Sequence, residues 1–253
     1  MALRYAILGL VAQALVSALR IKAPGSDLSA RLAFGSMTAV SMGLLYWAEG
    51  HLSSAVAAAV IMTEPQFVVL LAHYLVAGER ITGRTLAAMA CGFTGVLLLI
   101  VDRPLQGGSA GMATLGALAV TLSALVGALN RVQGKGLVAR LPPLLMLRDT
   151  GWIVAGLAAI GSLLLERHRA MVFRADAIAA FVYLGLVASA GASGLYLVLL
   201  RRYRVTSLAY LQFVTALVGI GTGVLLGRER LGGSSAAGAA LDDAGLVVLL
   251  RRV

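Results

Sequence analysis

Glu64 and Pro65 stand side by side in the stretch TEPQF, inside an apolar run spanning 54–77. Proline in the middle of a helix removes one backbone hydrogen bond and frees a carbonyl. A carboxylate at membrane depth costs about 2.5–3.5 kcal/mol on insertion scales when it is ionised and unpaired. A carboxyl that can hold or release a proton beside a broken helix suits proton coupling, or recognition of an amine. It equally suits a structural role, in which a protonated Glu64 bonds the freed carbonyl. Gln66 follows directly, and Gln212 lies at similar depth in a later apolar run. Uncharged polar groups at such positions face protein rather than lipid.

Further polar and aromatic side chains could line a cavity: Tyr46, Trp47, Asn130, Tyr196 and Tyr210. The three tyrosines fall near the ends of apolar runs, where an interfacial aromatic belt is the default reading. Asn130 stands where one run ends, so it is expected to close that helix. Asp242 and Asp243 are adjacent in the last apolar run; neighbours on a helix point about 100° apart, so one cavity cannot take both. Their role is speculative, with a partner interface as one alternative. Gly219, Gly223 and Gly227 form GxxxGxxxG, a spacing that lets two helix backbones approach closely. Arg148 and Asp149 are expected to pair or snorkel. The single cysteine, Cys91, excludes an internal disulfide, and three scattered histidines (His51, His73, His168) offer no metal or cofactor site and no clustered catalytic set. The expectation is therefore a protein that is not an enzyme.

These side chains need elements to position them, and composition says which. The chain has 253 residues, 60% hydrophobic and 13% charged, with mean hydropathy +0.92. Soluble domains average about 25% charged residues, so lipid must be the solvent for most of this surface. The net charge of +10 belongs to basic residues between apolar runs, which points to membrane topology and anionic headgroups rather than nucleic acid. A bilayer core about 30 Å thick takes about 20 helical residues. Nine runs qualify: A 3–21, B 31–48, C 54–77, D 82–101, E 111–129, F 144–165, G 177–200, H 205–227 and I 231–250. The spacing predicts an all-α, polytopic membrane helical bundle.

The chain also repeats itself. GERITGRTLAAMACGFTGVLLLIVDR aligns without a gap on RERLGGSSAAGAALDDAGLVVLLRR, with Glu79 on Glu229, Arg80 on Arg230, Gly83 on Gly233 and Gly95 on Gly245. The same offset sets B on G, C on H and D on I. Five crossings separate D from I, so the two copies are expected to insert in opposite senses, as in transporters with inverted repeats. Lys and Arg are in excess on loops A–B, C–D, E–F, G–H and at the C-terminus. That side is expected to be cytoplasmic, with the C-terminus inside.

In these blocks the chain resembles the EamA-type drug/metabolite transporter family. SSAVAAAVIMTEPQFVVLLAHYLVAGERITGRTLAAMACGFTGVLLL is similar to the closing signature of the first family copy, and GLYLVLLRRYRVTSLAYLQFVTALVGIGTGVLLGRERLGGSSAAGAAL to that of the second. Arg4 stands where the family often carries an arginine. The resemblance implies a small-molecule transporter in the cell inner membrane, working by alternating access between two five-helix repeats, with efflux coupled to protons or exchange. It implies repeats at 1–103 and 111–253 in one integrated membrane domain. A homo-oligomer is compatible with this. The sequence departs from the family in three ways. The first of the ten helices that the resemblance implies is expected to be absent, the proline expected in helix H is Thr215, and the usually apolar last helix carries Asp242 and Asp243. The rival reading is a truncated, non-transporting membrane protein or partner subunit.

Overall fold

The computed structural model describes residues 1–22, 27–52, 57, 60–83, 85–87, 89–91, 94, 110–165, 175–209 and 211–212. Among them the secondary structure is helical throughout: α1 Ala2–Ala18, α2 Leu28–Glu49, α3 Glu64–Leu75, α4 Ala110–Arg140, α5 Pro143–Leu165, α6 Ala175–Tyr183, a π-helical segment Leu184–Gly191, α7 Ala192–Arg202 and α8 Val205–Ala209. Four helical stretches among the described residues are long and apolar enough to cross a membrane: Leu28–Glu49, Thr114–Arg140, Pro143–Leu164 and Ile178–Arg202. Their outward faces carry exposed Leu118, Leu157, Ile160, Leu163 and Leu195. Large apolar side chains turned outward on long helices are the surface a bilayer requires. The protein is an all-α, polytopic membrane bundle.

The chain forms two compact units. The first joins Met1–Gly43 with Gln133–Tyr203; the second joins Leu44–Val132 with the chain from Arg204 onward.

In the first unit, α1 lies along α5 at a very short separation. A methyl group built on Gly151 would stand 2.6 Å from the Cα of Gly9, and one on Gly9 would stand 3.2 Å from the indole of Trp152. Two glycines facing each other let these backbones meet, as small residues do at membrane helix crossings. Leu8, Ala12, Leu145 and Val154 are buried on the two helices. The run expected to reach residue 21 stops at Ala18. Arg20 takes φ 51°, its N–H donates to Ser17 O at 3.2 Å, and Ile21 N–H donates to Val16 O at 3.0 Å. That is the Schellman arrangement, which satisfies the last carbonyls at the expense of a left-handed residue.

The π segment interrupts what the sequence pattern treats as one helix, 177–200. Arg4 on α1 donates from Nε to Ser189 Oγ at 2.5 Å, and Ser189 donates to Leu184 O at 2.9 Å. Gly185 lies against Ile7, whose Cγ2 stands 2.7 Å from where a Cβ would be.

The second unit has a small core of Ala48, Ala57 and Val120, packed by Leu45, Leu52, Val60 and Ile61. Here the expected helix 54–77 is not continuous. Ala57, Val60 and Ile61 are helical, the chain turns at Met62 and Thr63, and α3 begins at Glu64. Pro65 therefore lies in the first turn of α3, where its missing N–H is one that a helix start leaves unbonded anyway.

Helix α4 corrects the expected end of run E at 129. It continues to Arg140, about 46 Å for its 31 residues at 1.5 Å each. Lys135 shows why the polar stretch NRVQGKG stays helical: its Nζ donates to Leu200 O at 2.7 Å and Tyr203 O at 2.6 Å, the orphan carbonyls at the end of α7.

Candidate functional site

The break between Ile61 and Glu64 is where chain and chemistry meet. A helix interrupted in apolar surroundings leaves carbonyls that need donors. Thr63 supplies two, its N–H to Val60 O at 3.0 Å and its hydroxyl to the same oxygen at 2.8 Å. Gln66, with its amide nitrogen turned toward the chain, donates to Thr63 O at 2.8 Å and Met62 O at 2.9 Å. In that orientation the Gln66 amide bonds the backbone of the break.

With the backbone satisfied by Thr63 and Gln66, Glu64 is left for another partner. Its carboxylate is 7% exposed and pairs with Arg131 on α4, Nε to Oε1 at 2.6 Å. A second donor of the same guanidinium, Nη2, reaches Oε2 at 3.3 Å. Two parallel contacts fix the planes of both groups, a geometry a lysine cannot reproduce. Gln212 Nε2 approaches Oε2 at 3.5 Å. Gln212 Oε1 is buried and, among the described residues, accepts no hydrogen bond. Glu64 also sits in the first turn of α3, where the helix dipole favours negative charge. In the structure the Glu64 carboxyl faces Arg131 on α4 rather than a freed carbonyl of the break.

Arg131 is the residue that sequence reading missed. It follows the apolar run 111–129 by two positions and counts there as a loop charge. The available signal was Glu64 itself, since an acid at membrane depth calls for a basic partner. Asn130, expected to close the helix, is a buried residue within α4, ten positions before its end.

The remaining candidates separate. Tyr46 and Trp47 are exposed near the end of α2. The Trp47 ring lies 4.4 Å from that of His51, and His51 Nδ1 contacts Trp47 O at 2.8 Å. Exposure near a helix end is the placement that an interfacial aromatic belt takes. Tyr196 is half-buried on α7, in the first unit. Glu64, Pro65, Gln66 and Gln212 are brought together in the second. Tyr210, Asp242, Asp243, Gly219, Gly223 and Gly227 lie outside the described residues.

A second carboxylate in this unit has a different role. Glu79 is 5% exposed; it accepts from Val205 N–H at 2.8 Å and from Thr206 Oγ1 at 2.5 Å. It caps the start of α8 from a distant part of the sequence. Gly78, at φ +87°, makes the turn that aims it there. His73 accepts from Ile81 N–H at 3.4 Å.

Arg148 and Asp149 do pair, Nη2 to Oδ1 at 2.6 Å. Arg31 at the start of α2 joins them, Nη1 to Oδ2 at 2.8 Å.

Comparison with known proteins places this geometry in context. The model of the EamA-like transporter family matches residues 1–101 and 114–251. A protein of Escherichia coli (strain K12) described as a "Probable amino-acid metabolite efflux pump" is 28% identical over 201 residues, covering 76% of this chain. The match spans 66% of that relative's length. A solved crystal structure superposes with a TM-score of 0.85 at 21% identity, covering 98% of this chain and 85% of the other. The fold is shared at that level.

Proposed function

The chain belongs to the EamA-like transporter family, and from that premise we propose that it moves a small metabolite or drug-like molecule out of the cell across the inner membrane. The observation that carries the reading is the Glu64–Arg131 pair at the helix break, beside the open acceptor of Gln212. A proton or a substrate amine that binds Glu64 competes with the guanidinium for the same two oxygens. Occupying Glu64 therefore releases Arg131, and releasing Glu64 restores the pair. That exclusivity is what coupling or exchange requires, because the two ligands of one carboxylate cannot both be held. The amino-acid name carried by the bacterial relative makes amino acids and related amines the first substrates to test.

The test is flux into inverted vesicles from a panel of amino acids and amine-bearing drugs, with and without an imposed pH gradient. The expected result is saturable uptake of at least one compound, abolished by Glu64→Gln. Flux and pH response unchanged in that variant would remove Glu64 from the mechanism.

Alternating access in this reading uses two repeats, 1–103 and 111–253, inserted in opposite senses, with the C-terminus in the cytoplasm. Reporter fusions after Arg80 and after Arg230 should report opposite sides of the membrane. A common side would end the inverted-repeat reading and leave the flux result standing on its own.

A further inference from the structure

Outside the Glu64 site, one cluster of charge has no part in the proposed transport. Arg31, Arg148 and Asp149 lie in the first unit, with side chains 8%, 20% and 16% exposed. One carboxylate serves two guanidiniums. Arg148 donates from Nε to Asp149 Oδ1 at 2.7 Å, and Arg31 donates from Nη1 to Oδ2 at 2.8 Å. The cluster keeps one uncancelled positive charge while largely removed from water. A buried charge without a counter-charge is costly. Arg31 Nε is fully buried and has no hydrogen-bond acceptor among the described residues.

These groups line a cleft of about 280 Å³, completed by Leu28, Leu32, Trp152 and Ile153. Leu28, Leu32 and Trp152 are exposed. The cleft thus has a cationic floor and apolar rims, with an indole at its edge. Arg31 opens α2 and Arg148 lies in the second turn of α5. Both are near helix ends, at the depth where headgroups sit.

We propose that this cleft binds the phosphate of an anionic ligand on Arg31 and Arg148, and that the lipid-like rim makes a phospholipid headgroup its occupant. The uncancelled charge asks for a headgroup of net charge −1, which phosphatidylglycerol supplies and zwitterionic phosphatidylcholine does not. Guanidiniums present several donors to phosphate oxygens, and the leucines and Trp152 contact the glycerol and upper acyl chains. A basic recess between membrane helices is a recognised way to hold such headgroups.

The chain has two tryptophans, so Trp47→Phe leaves Trp152 as the fluorescent reporter of the cleft. The full-length Trp47→Phe protein is reconstituted with brominated phosphatidylglycerol or brominated phosphatidylcholine, and quenching is followed against lipid fraction. Phosphatidylglycerol is expected to quench at about fivefold lower fraction, the advantage of one uncompensated charge near the surface. Arg148→Gln, at the more exposed edge, should erase that preference, and Arg31→Gln should do the same if it folds. Asp149→Asn removes the internal competitor and should keep or strengthen it. Inorganic phosphate separates the sources. Protection at millimolar phosphate assigns the site to the free anion, and absence of protection assigns it to the headgroup. Equal quenching by the two lipids together with no effect of phosphate overturns the proposal, as does an Arg148→Gln protein that keeps the wild-type preference.

Discussion

Arg131 meets Glu64 side-on, Nε 2.6 Å from Oε1 and Nη2 3.3 Å from Oε2, across 67 positions of sequence. The two partners are unequally buried, 30% exposed for Arg131 and 7% for Glu64. Removing Arg131 therefore strands the better-buried charge. Arg131→Gln should destabilise the folded protein by about 3 kcal/mol, and Glu64→Gln by less, because water reaches the guanidinium that is left. The double variant should recover much of the loss, since no charge is then left alone. Thermal unfolding of the three purified variants checks this, and strictly additive effects would mean the contact is incidental.

Glu79 offers a test of stability away from the proposed transport chemistry. It holds two donors at the start of α8. Glu79→Ala leaves Val205 N–H without its acceptor in a buried site and should cost about 1–2 kcal/mol. Thr206→Val removes only one of the two bonds and should cost about half as much. The check is the unfolding midpoint in detergent. Equal effects from the two substitutions would show that the backbone bond contributes nothing.

Gly151 should accept no side chain. A Cβ there would stand 2.6 Å from the backbone of Gly9 and 2.5 Å from Leu8 Cδ2. Backbone cannot give way as a side chain can, so Gly151→Ala should cost about 1–3 kcal/mol. Gly156→Ala on the same helix has open space and should be neutral or slightly stabilising, through the better helix propensity of alanine. The pair of variants separates the crossing from a general dislike of alanine in α5.

Arg20 predicts the opposite sign. Its φ of 51° is a conformation glycine adopts freely and other residues hold at a cost of about 1–2 kcal/mol. Arg20→Gly should raise stability, by up to about 1 kcal/mol after the added freedom of the unfolded chain is subtracted. A fall in the unfolding midpoint would show that the arginine side chain contributes more than its backbone costs.

Where sequence reading succeeded, one physical signal dominated. Long apolar runs with basic gaps left few alternatives to membrane helices, and α5 falls within one residue of the run at 144–165. Glu64 and Gln212 were legible as candidates because polar groups at that depth need partners. The partner was not legible. A hydropathy window ends run E at the first polar cluster, but the protein continues α4 because Arg131 and Lys135 find acceptors elsewhere in the fold. The break before Glu64 was half legible: proline marks its place, while Thr63 and Gln66 make it stable. The π segment left no trace in periodicity, since one wide turn changes no residue type. The GxxxGxxxG spacing of Gly219, Gly223 and Gly227 lies outside the described residues. The crossing the structure describes, Gly9 on Gly151, joins two helices that lie far apart in sequence, where no spacing rule applies.

The bond from Val205 N–H to the Glu79 carboxylate joins residues 126 positions apart, and that has a consequence for biosynthesis. As the chain leaves the ribosome, α3 and its turn enter the bilayer long before Val205 has been made. Until then the carboxylate of Glu79 lacks the donors that later enclose it. The unit comprising Leu44–Val132 and the chain from Arg204 can therefore close only after the intervening helices have been synthesised. A nascent chain that stalls before residue 205 leaves Glu79 without the two donors that satisfy it in the finished fold.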